Sequence, residues 1–410
     1  MAKITLAEKA RAEVNKLKTK DIGGAFSSLL PKKFSSNQHA NSELAEAFSK
    51  WVYICVKKNA HSVATQTLQL IATDTGNIAQ KHKSININKF KHHTSLMSQR
   101  KIKQATNYVE IVEHPFLQLL EKPSKGETQY TLIYAMTVNL ELFGTAYLRI
   151  QKDSQLQIPI NIECLHTQFV TYKLNNYTNE VEKYYYGFGT QRIEIPVEEI
   201  IVIKYYSPYS DVVGFAPLQA VFDSYKLDSS FDTYQLAVNE NSGNPSMIMQ
   251  YNGKALKKNE QEELEASWNR TTQGLANTGR MKVIGGDFTA IKTGLTPKEL
   301  DFVQGRTVTL KAIANAFDIP MPLVDANESI MNNLKASLYQ YQVLGIEPKI
   351  KQIVDEFNIK ILPYYDEDRI YLTYADPVEQ RHTDIVDNTI KLFEKNIITL
   401  EEARDAIFNS

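Results

Sequence analysis

Residues 296–322 read TPKELDFVQGRTVTLKAIANAFDIPMP, and the way this stretch folds organises the rest of the chain. Thr296 suits an N-cap, Pro297 the first helical position, where its missing N–H costs nothing, and Glu299 completes a capping box. Leu300, Val303, Thr307, Leu310, Ala314 and Phe317 recur at heptad-like spacing. An amphipathic helix therefore runs to about residue 317 and stops before Ile319-Pro320-Met321-Pro322.

Beyond it, a polar loop over Asp325–Asn333 leads into a long helix from Leu334 to about Leu362, which Pro348 should bend. A strand at Ile370–Tyr374 follows, then a last helix capped by Thr399 with Glu402 as box partner. On the other side, a small α+β unit precedes residue 296. It holds a strand (Met247–Tyr251), a polar helix (256–270), a basic strand (Arg280–Ile284) and a short strand ending at Ile291. Before it, Pro217 opens a helix with Leu218, Val221, Phe222, Tyr225 and Leu236 as its apolar stripe. Asp223, Asp228 and Asp232 lie mostly off that stripe.

Farther out, the texture is α+β. Helices are predicted over 42–64, from His114-Pro115-Phe116, and over 127–143, with Gly144 as the stop. Strands are predicted at 68–72, 145–151, 158–165, 169–173, 181–186 and 200–205, and those after residue 144 form one mixed sheet flanked by helices. Residues 75–109 contain no Asp or Glu but hold Lys81, Lys83, Lys89, Lys91, Arg100, Lys101 and Lys103, with His82, His92 and His93 among them. This segment reads as a solvated basic loop or a nucleic-acid contact. Residues 1–43 read as a loose arm.

Composition narrows the function. Hydrophobic residues make up 43% and charged residues 23% of 410, ordinary for a globular protein of more than one domain. Nothing approaches the ~20 apolar residues of a membrane span, and the polar N-terminus lacks a signal peptide's apolar core, which predicts a cytoplasmic chain without a membrane partner. Cys55 and Cys164 read as buried small hydrophobes. A net charge of −1 lacks the basic surplus of a protein that grips DNA.

No catalytic motif is found. GxxxxGK[ST], GxSxG and HExxH are absent, and Gly187-Phe188-Gly189 reads as a hairpin end. No cofactor and no metal site are expected. The densest acidic cluster, Asp366, Glu367 and Asp368 with Asp376 and Glu379 nearby, reads as a solvated turn. A metal-dependent nucleic-acid enzyme built on Asp366, Asp368 and Asp376 remains an alternative. A basic DNA-binding adaptor using residues 75–109 is another.

Several stretches, in order, resemble the portal proteins of long-tailed, lambdoid-type bacteriophages. His114-Pro115 with Leu119-Leu120 and Pro123 is similar to one family segment. Leu142-Phe143-Gly144-Thr145-Ala146-Tyr147 resembles its "GNAY" strand start, with Thr145 for Asn. Glu199-Ile200-Ile201 and Gly214-Phe215-Ala216-Pro217-Leu218 resemble "EIIH…G-x-SPL". Lys298 to Phe302, Arg306, and Ile313 to Pro320 resemble "KDMQF…R…IARxFGVPP", with Asp318 for Gly and Met321 for the second Pro. Ile398-Thr399-Leu400-Glu401-Glu402-Ala403-Arg404 resembles the family's ending.

The resemblance implies an α+β portal-type subunit with a mixed-sheet wing (44–216), stem helices (217–242 and 296–317), a clip (243–295), a tunnel-loop region (318–333), a long kinked helix with wing closure (334–374) and a short crown (375–410). It implies a non-enzymatic ring, generally of twelve, at one capsid vertex of a virion, assembled in the host cytoplasm. The ring would pass double-stranded DNA during packaging and ejection. Its further partners would be the large terminase, a head–tail adaptor, and major capsid and scaffolding proteins. Placed on that scheme, Asp223, Asp228, Asp232 and Asp301 would line the stem channel. Asp325, Asn327, Glu328, Asn332 and Asn333 would meet DNA in the tunnel loop. Lys254, Lys257, Lys258 and Arg270 would meet an acidic partner at the clip.

Overall fold

The computed structural model describes residues 38–72, 84–87, 108–240 apart from four turn positions, 247–251, 257–272, 288–292, 302–325, 331–365, 369–375 and, near the C-terminus, 386, 389–395, 399–402 and 404. In chain order the elements are α1 (Gln38–Glu46), α2 (Lys50–Ala64), β1 (Leu68–Ala72), β2 (Ser84–Ile87), β3 (Tyr108–Ile111), α3 (Pro115–Glu121) and α4 (Gln129–Phe143). Next come β4 (Thr145–Lys152), β5 (Pro159–Leu165), β6 (Val170–Leu174), β7 (Val181–Tyr186), β8 (Ile193–Ile195), β9 (Ile200–Lys204), α5 (Pro217–Ala220) and α6 (Phe222–Glu240). The last are β10 (Met247–Tyr251), α7 (Lys258–Thr272), β11 (Phe288–Lys292), α8 (Phe302–Ala316), α9 (Met331–Gln340), α10 (Glu347–Lys360) and β12 (Ile370–Tyr374). They fall into two compact units, residues 1–220 with 314–410, and residues 221–313.

In the first unit, α2 packs along α4. Val52, Cys55, Val56, Ala60 and Val63 are buried on α2, and Leu132, Ile133, Met136 and Leu140 on α4. Each of the Val, Leu, Ile and Met side chains contributes about 1.5–3 kcal/mol by leaving water. Three sheets complete this unit, ordered β12-β1-β3-β2, β5-β4-β9 and β6-β7-β8. Every strand pairing among the described residues is antiparallel, so the expected single mixed sheet is instead two three-stranded antiparallel sheets. They share an apolar cluster of Tyr147, Leu165, Val170, Tyr184, Ile195 and Ile200.

Two further expectations are corrected. The helix expected over 42–64 is two helices, because Ser49 turns extended (φ −146°) and Lys50 enters the left-handed region (φ 50°). Ser competes with helical backbone and favours starts over interiors. The basic segment 75–109 is not loop throughout: β2 pairs with β3, Ser84 opposite Ile111. The rest of the basic segment and the arm before residue 38 lie outside the described residues.

The quoted motifs are joints. His114 caps α3, its Nδ1 accepting from Phe116 N–H at 3.0 Å, with Pro115 at the first helical position. Gly144 ends α4 at φ +72°. Its carbonyl accepts from Tyr205 N–H (2.9 Å), while Thr145 Oγ1 accepts from Gly214 N–H (2.8 Å). The Leu142–Tyr147 and Gly214–Leu218 motifs therefore meet in space.

Helix α10 seals two sheet edges. Asn358 Nδ2 donates to Leu372 O (2.9 Å), and its Oδ1 accepts from Leu372 N–H (2.7 Å), as a neighbouring strand would on β12. Gln352 Nε2 donates to Lys204 O (2.9 Å) and Lys360 Nζ to Val202 O, both on β9. Open edges invite unwanted pairing, and these side chains close them.

The long helix expected from Leu334 starts earlier and is interrupted. Residues 341–346 form a π turn, with Glu347 N–H bonded to Gln342 O. In an uninterrupted α-helix the Pro348 ring would strike the carbonyl four residues back, and the wider turn accommodates it. In the second unit, β10 and β11 form an antiparallel pair, Met247 opposite Lys292, with α7 between them in sequence. The predicted strand Arg280–Ile284 lies outside the described residues.

Candidate functional site

Within the second unit, α6 and α8 are joined by a polar cluster. Arg306 Nη2 lies 3.0 Å from Asp232 Oδ1, and its Nε lies 3.7 Å from Asp228 Oδ1. Thr309 Oγ1 donates to the same Asp228 oxygen at 3.3 Å. Asp228 is 1% exposed. It belongs to the contact between the helices, and its expected place on an open wall is corrected. Its period puts it one turn from Asp232, on the face that α8 covers. Gly305 permits this approach, since a Cβ there would meet the Phe231 ring at 3.1 Å. Asp232 is half-buried and shares Arg306, whereas Asp223 is exposed. Asp301 lies outside the described residues.

Arg306→Ala should cost about 2–3 kcal/mol, because Asp228 would stay buried with Thr309 as its remaining donor. Urea unfolding would show the lowered midpoint. Arg306→Lys should restore only part, since an ammonium cannot fork between two carboxylates.

Of the expected loop residues, Asp325 is half-buried and its N–H bonds to Met321 O at 2.8 Å. Asn332 and Asn333 belong to the first turn of α9, not to a loop. Asn327 and Glu328 lie outside the described residues. At the expected clip, Lys257 and Lys258 are exposed. Lys258 lies 4.0 Å from Glu262, and Glu260 Oε2 accepts from Lys257 N–H at 2.9 Å. Glu260, Glu262, Glu263 and Glu265 are all exposed on this helix, so its described surface is more acidic than basic. Arg270 lies on α7, and Lys254 lies outside the described residues.

Among the described residues no group of three or more His, Cys, Asp or Glu could hold a metal ion. Asp366, Glu367, Asp368, Asp376 and Glu379 lie outside them. No helix among them is long and apolar enough to cross a membrane. Cys55 is buried, and burial pushes its thiol up to about 12, far from a reactive thiolate.

The most connected polar site was not expected from sequence. It clasps the end of α8, whose last turn closes with Ile319 N–H on Ala314 O (2.9 Å) and Asp318 N–H on Asn315 O (3.1 Å). Asp318 stands left-handed (φ 59°), where glycine is usual. Asn59 Nδ2 donates to Phe317 O (2.8 Å) and to Glu141 Oε1 (2.7 Å). Tyr341 OH donates to Asn59 Oδ1 (2.8 Å). Lys349 Nζ lies 3.4 Å from Glu141 Oε1 and 3.2 Å from Asp318 Oδ2. Glu141 is fully buried. Its signal in the sequence was a lone carboxylate in the apolar run Leu140-Glu141-Leu142-Phe143.

The chain is similar in fold to subunits in the neck of an empty gene transfer agent particle (17% identity, 91% of this chain and 94% of that one, TM-score 0.60). It is likewise similar to an HK97 family phage portal protein from Corynebacterium diphtheriae (13% identity, 81% and 94%, TM-score 0.52). Among curated sequences it is similar to an uncharacterized protein of Rickettsia bellii, 22% identical over 275 residues, covering 63% of this chain and 71% of that one. A second, from Rickettsia felis, is 21% identical over 302 residues, covering 72% and 77%. The family described as "Phage portal protein" matches residues 93–407, which carry the α3, α4–β4, Gly214–Leu218 and α8 joints described above, and the chain belongs to that family.

Proposed function

We propose that this chain is the subunit of a portal ring at one vertex of a phage or phage-like capsid, a conduit for double-stranded DNA and not an enzyme. The observation that carries the reading is the family match across residues 93–407. The fold likeness over 91% of the chain to gene transfer agent neck subunits supports it. One such neck was computed with C12 symmetry and another with C6, which favours a ring of twelve.

The surface chemistry suits this role. Leu227, Tyr234, Leu236 and Val308 are exposed apolar residues on α6 and α8, and a head-to-tail ring interface would cover such side chains. A conduit must also release its cargo. Each neutralised phosphate adds salt-dependent affinity, and twelve copies would multiply it, so a net charge of −1 favours passage over capture. Asp223 and Asp301 are the stem aspartates proposed for the channel wall, with Asp232 at its margin. Asp325 to Asn333 would approach DNA. The large terminase and head–tail adaptor would meet α7, whose exposed glutamates suit a partner surface with basic as well as acidic patches. Capsid and scaffolding proteins would surround the ring, in the virion after assembly in host cytoplasm.

Purified chain should form large rings by native mass spectrometry and negative-stain imaging, with weak DNA binding. Small species alone, across salt and concentration, would defeat the reading. Tight, salt-sensitive DNA binding by a monomer would favour an adaptor built on residues 75–109. A Mg²⁺-dependent activity lost on alanine substitution of Asp366, Asp368 and Asp376 would favour an enzyme.

A further inference from the structure

We propose that a second copy of this chain docks the edge formed by β8 and the turn after it on the aromatic face of α2 and α4, with Glu198 of one copy meeting Lys57 of the next. The inference rests on the ring reading and names surfaces through which neighbouring subunits would touch.

The first surface is on α2 and α4. Tyr53, Lys57 and His61 recur at four-residue spacing along the exposed side of α2, opposite the buried Cys55 and Asn59. Tyr53 is 41% exposed and Tyr130, on α4, 38%. Both rings are held in place. Phe48 lies 5.1 Å from Tyr53 and Tyr134 lies 5.8 Å from Tyr130, centroid to centroid, and His61 Nδ1 is 3.1 Å from the Tyr130 hydroxyl. A surface fixed before its partner arrives loses little freedom on binding. Helix α2 contains no Asp or Glu. Lys58 Nζ donates to Leu323 O, whereas Lys57 Nζ sits 5.8 Å over the Tyr53 ring and makes no ion pair among the described residues.

The second surface is a sheet edge. In the sheet ordered β6-β7-β8, β8 has no strand beyond it. Ile193 on β8 is 57% exposed, and Val197 in the following turn 38%. Three ion pairs already occupy this sheet and its neighbour: Lys173 with Glu182 (3.0 Å), Lys183 with Glu194 (2.6 Å) and Arg149 with Glu199 (3.4 Å). Glu198, next to Val197, is exposed and makes no ion pair among the described residues.

The two surfaces complement one another. Each sets one uncompensated charge among exposed apolar side chains, and the charges are opposite. They also lie on separate parts of the first unit. Helix α2 packs on α4, α4 runs into β4, Tyr147 of β4 meets Tyr184 of β7 at 5.8 Å, and β8 pairs beyond β7. A closed head-to-tail ring needs two different matching patches on every copy, whereas a two-fold dimer needs one patch that matches itself. Nucleic acid would suit Lys57 and the tyrosines but leaves Ile193, Val197 and Glu198 without a partner. A second copy accounts for both surfaces.

The test is native mass spectrometry of the full chain as wild type, Lys57→Glu, Glu198→Lys and the double exchange. Both positions are exposed, so circular dichroism should show all four folded alike. Either single reversal should lower the fraction of rings by about tenfold or more at low salt, because it sets like charges against each other at every repeat of the contact. The double exchange restores opposite charges and should recover most of the rings. Rings that survive either reversal, or a double exchange no better than the singles, would overturn the proposal and leave the ring reading standing. A wild type without rings would defeat both. Lys57→Glu that keeps its rings but loses DNA retention would assign the face to nucleic acid instead. Crosslinking gives a second readout. A chain carrying Tyr53→Cys and Val197→Cys should give a ladder of covalent oligomers on mild oxidation that neither single variant gives, and assembled rings without that ladder would equally end the idea.

Discussion

Gly214→Ala is expected to keep the chain from its native fold, with a loss of at least about 4 kcal/mol. A Cβ at Gly214 would stand 2.0 Å from Gly144 O and 2.8 Å from Tyr205 N and O. All three are backbone atoms, and they belong to the junction where α4 ends, β9 ends and the loop to α5 begins. No rotamer change can clear them. Gly144→Ala should be nearly as severe, since it adds a left-handed φ of +72° to contacts of 2.6 Å with Gly214 and 2.7 Å with Ala216 N. Gly126→Ala is the control. Its φ is +87°, but nothing lies within 4 Å of the added Cβ. It should cost only the left-handed penalty, about 1–2 kcal/mol. Soluble yield and circular dichroism would rank the three. If Gly214→Ala folds as well as Gly126→Ala, the junction does not hold the fold as described.

The second large effect is at Lys349. Lys349→Met should destabilise the chain by about 3–5 kcal/mol at pH 8, because Glu141 would remain buried with Asn59 as its donor. The double variant Lys349→Met with Glu141→Gln should recover most of that loss. The amide keeps an acceptor for Asn59 and leaves no buried charge. A coupling energy of about 2 kcal/mol or more in the double-mutant cycle is expected, read from urea midpoints. Additive effects would mean that the two side chains do not act together.

These two sites show what the sequence made legible and what it did not. Local punctuation was readable. Gly144 ends α4, Pro115 starts α3, and Thr399 with Glu402 forms the predicted box, Thr399 N–H on Glu402 Oε2 at 2.8 Å and Glu402 N–H on Thr399 Oγ1 at 3.3 Å. Each depends on residues within one turn. The clasp was not readable, because Asn59, Glu141, Asp318 and Lys349 come from four distant segments, and although Glu141 stands out in an apolar run, the other three each pass for a solvated polar residue. Asp228 was misplaced for a related reason. A carboxylate off the apolar stripe is normally exposed, and it takes Arg306 and Thr309, 78 and 81 positions later, to offset its burial. The short strand β8 was missed because three residues are too few to show a period. The π turn was missed because a bend at Pro348 was expected where the chain instead widens before it.

The pairing of β1 with β12 has a consequence in time. Leu68 sits opposite Tyr374, so the strand made early waits for one made about 300 residues later. At ~5–20 residues per second a ribosome needs about 15–60 s to supply it. Throughout that interval one side of β1 has no neighbour, and α10, which seals β9 and β12, is also missing. The nascent chain therefore cannot close this sheet until β12 has been made. Loop closure over such a span is slow, and the segment that carries α10 and β12 is the one that completes this sheet.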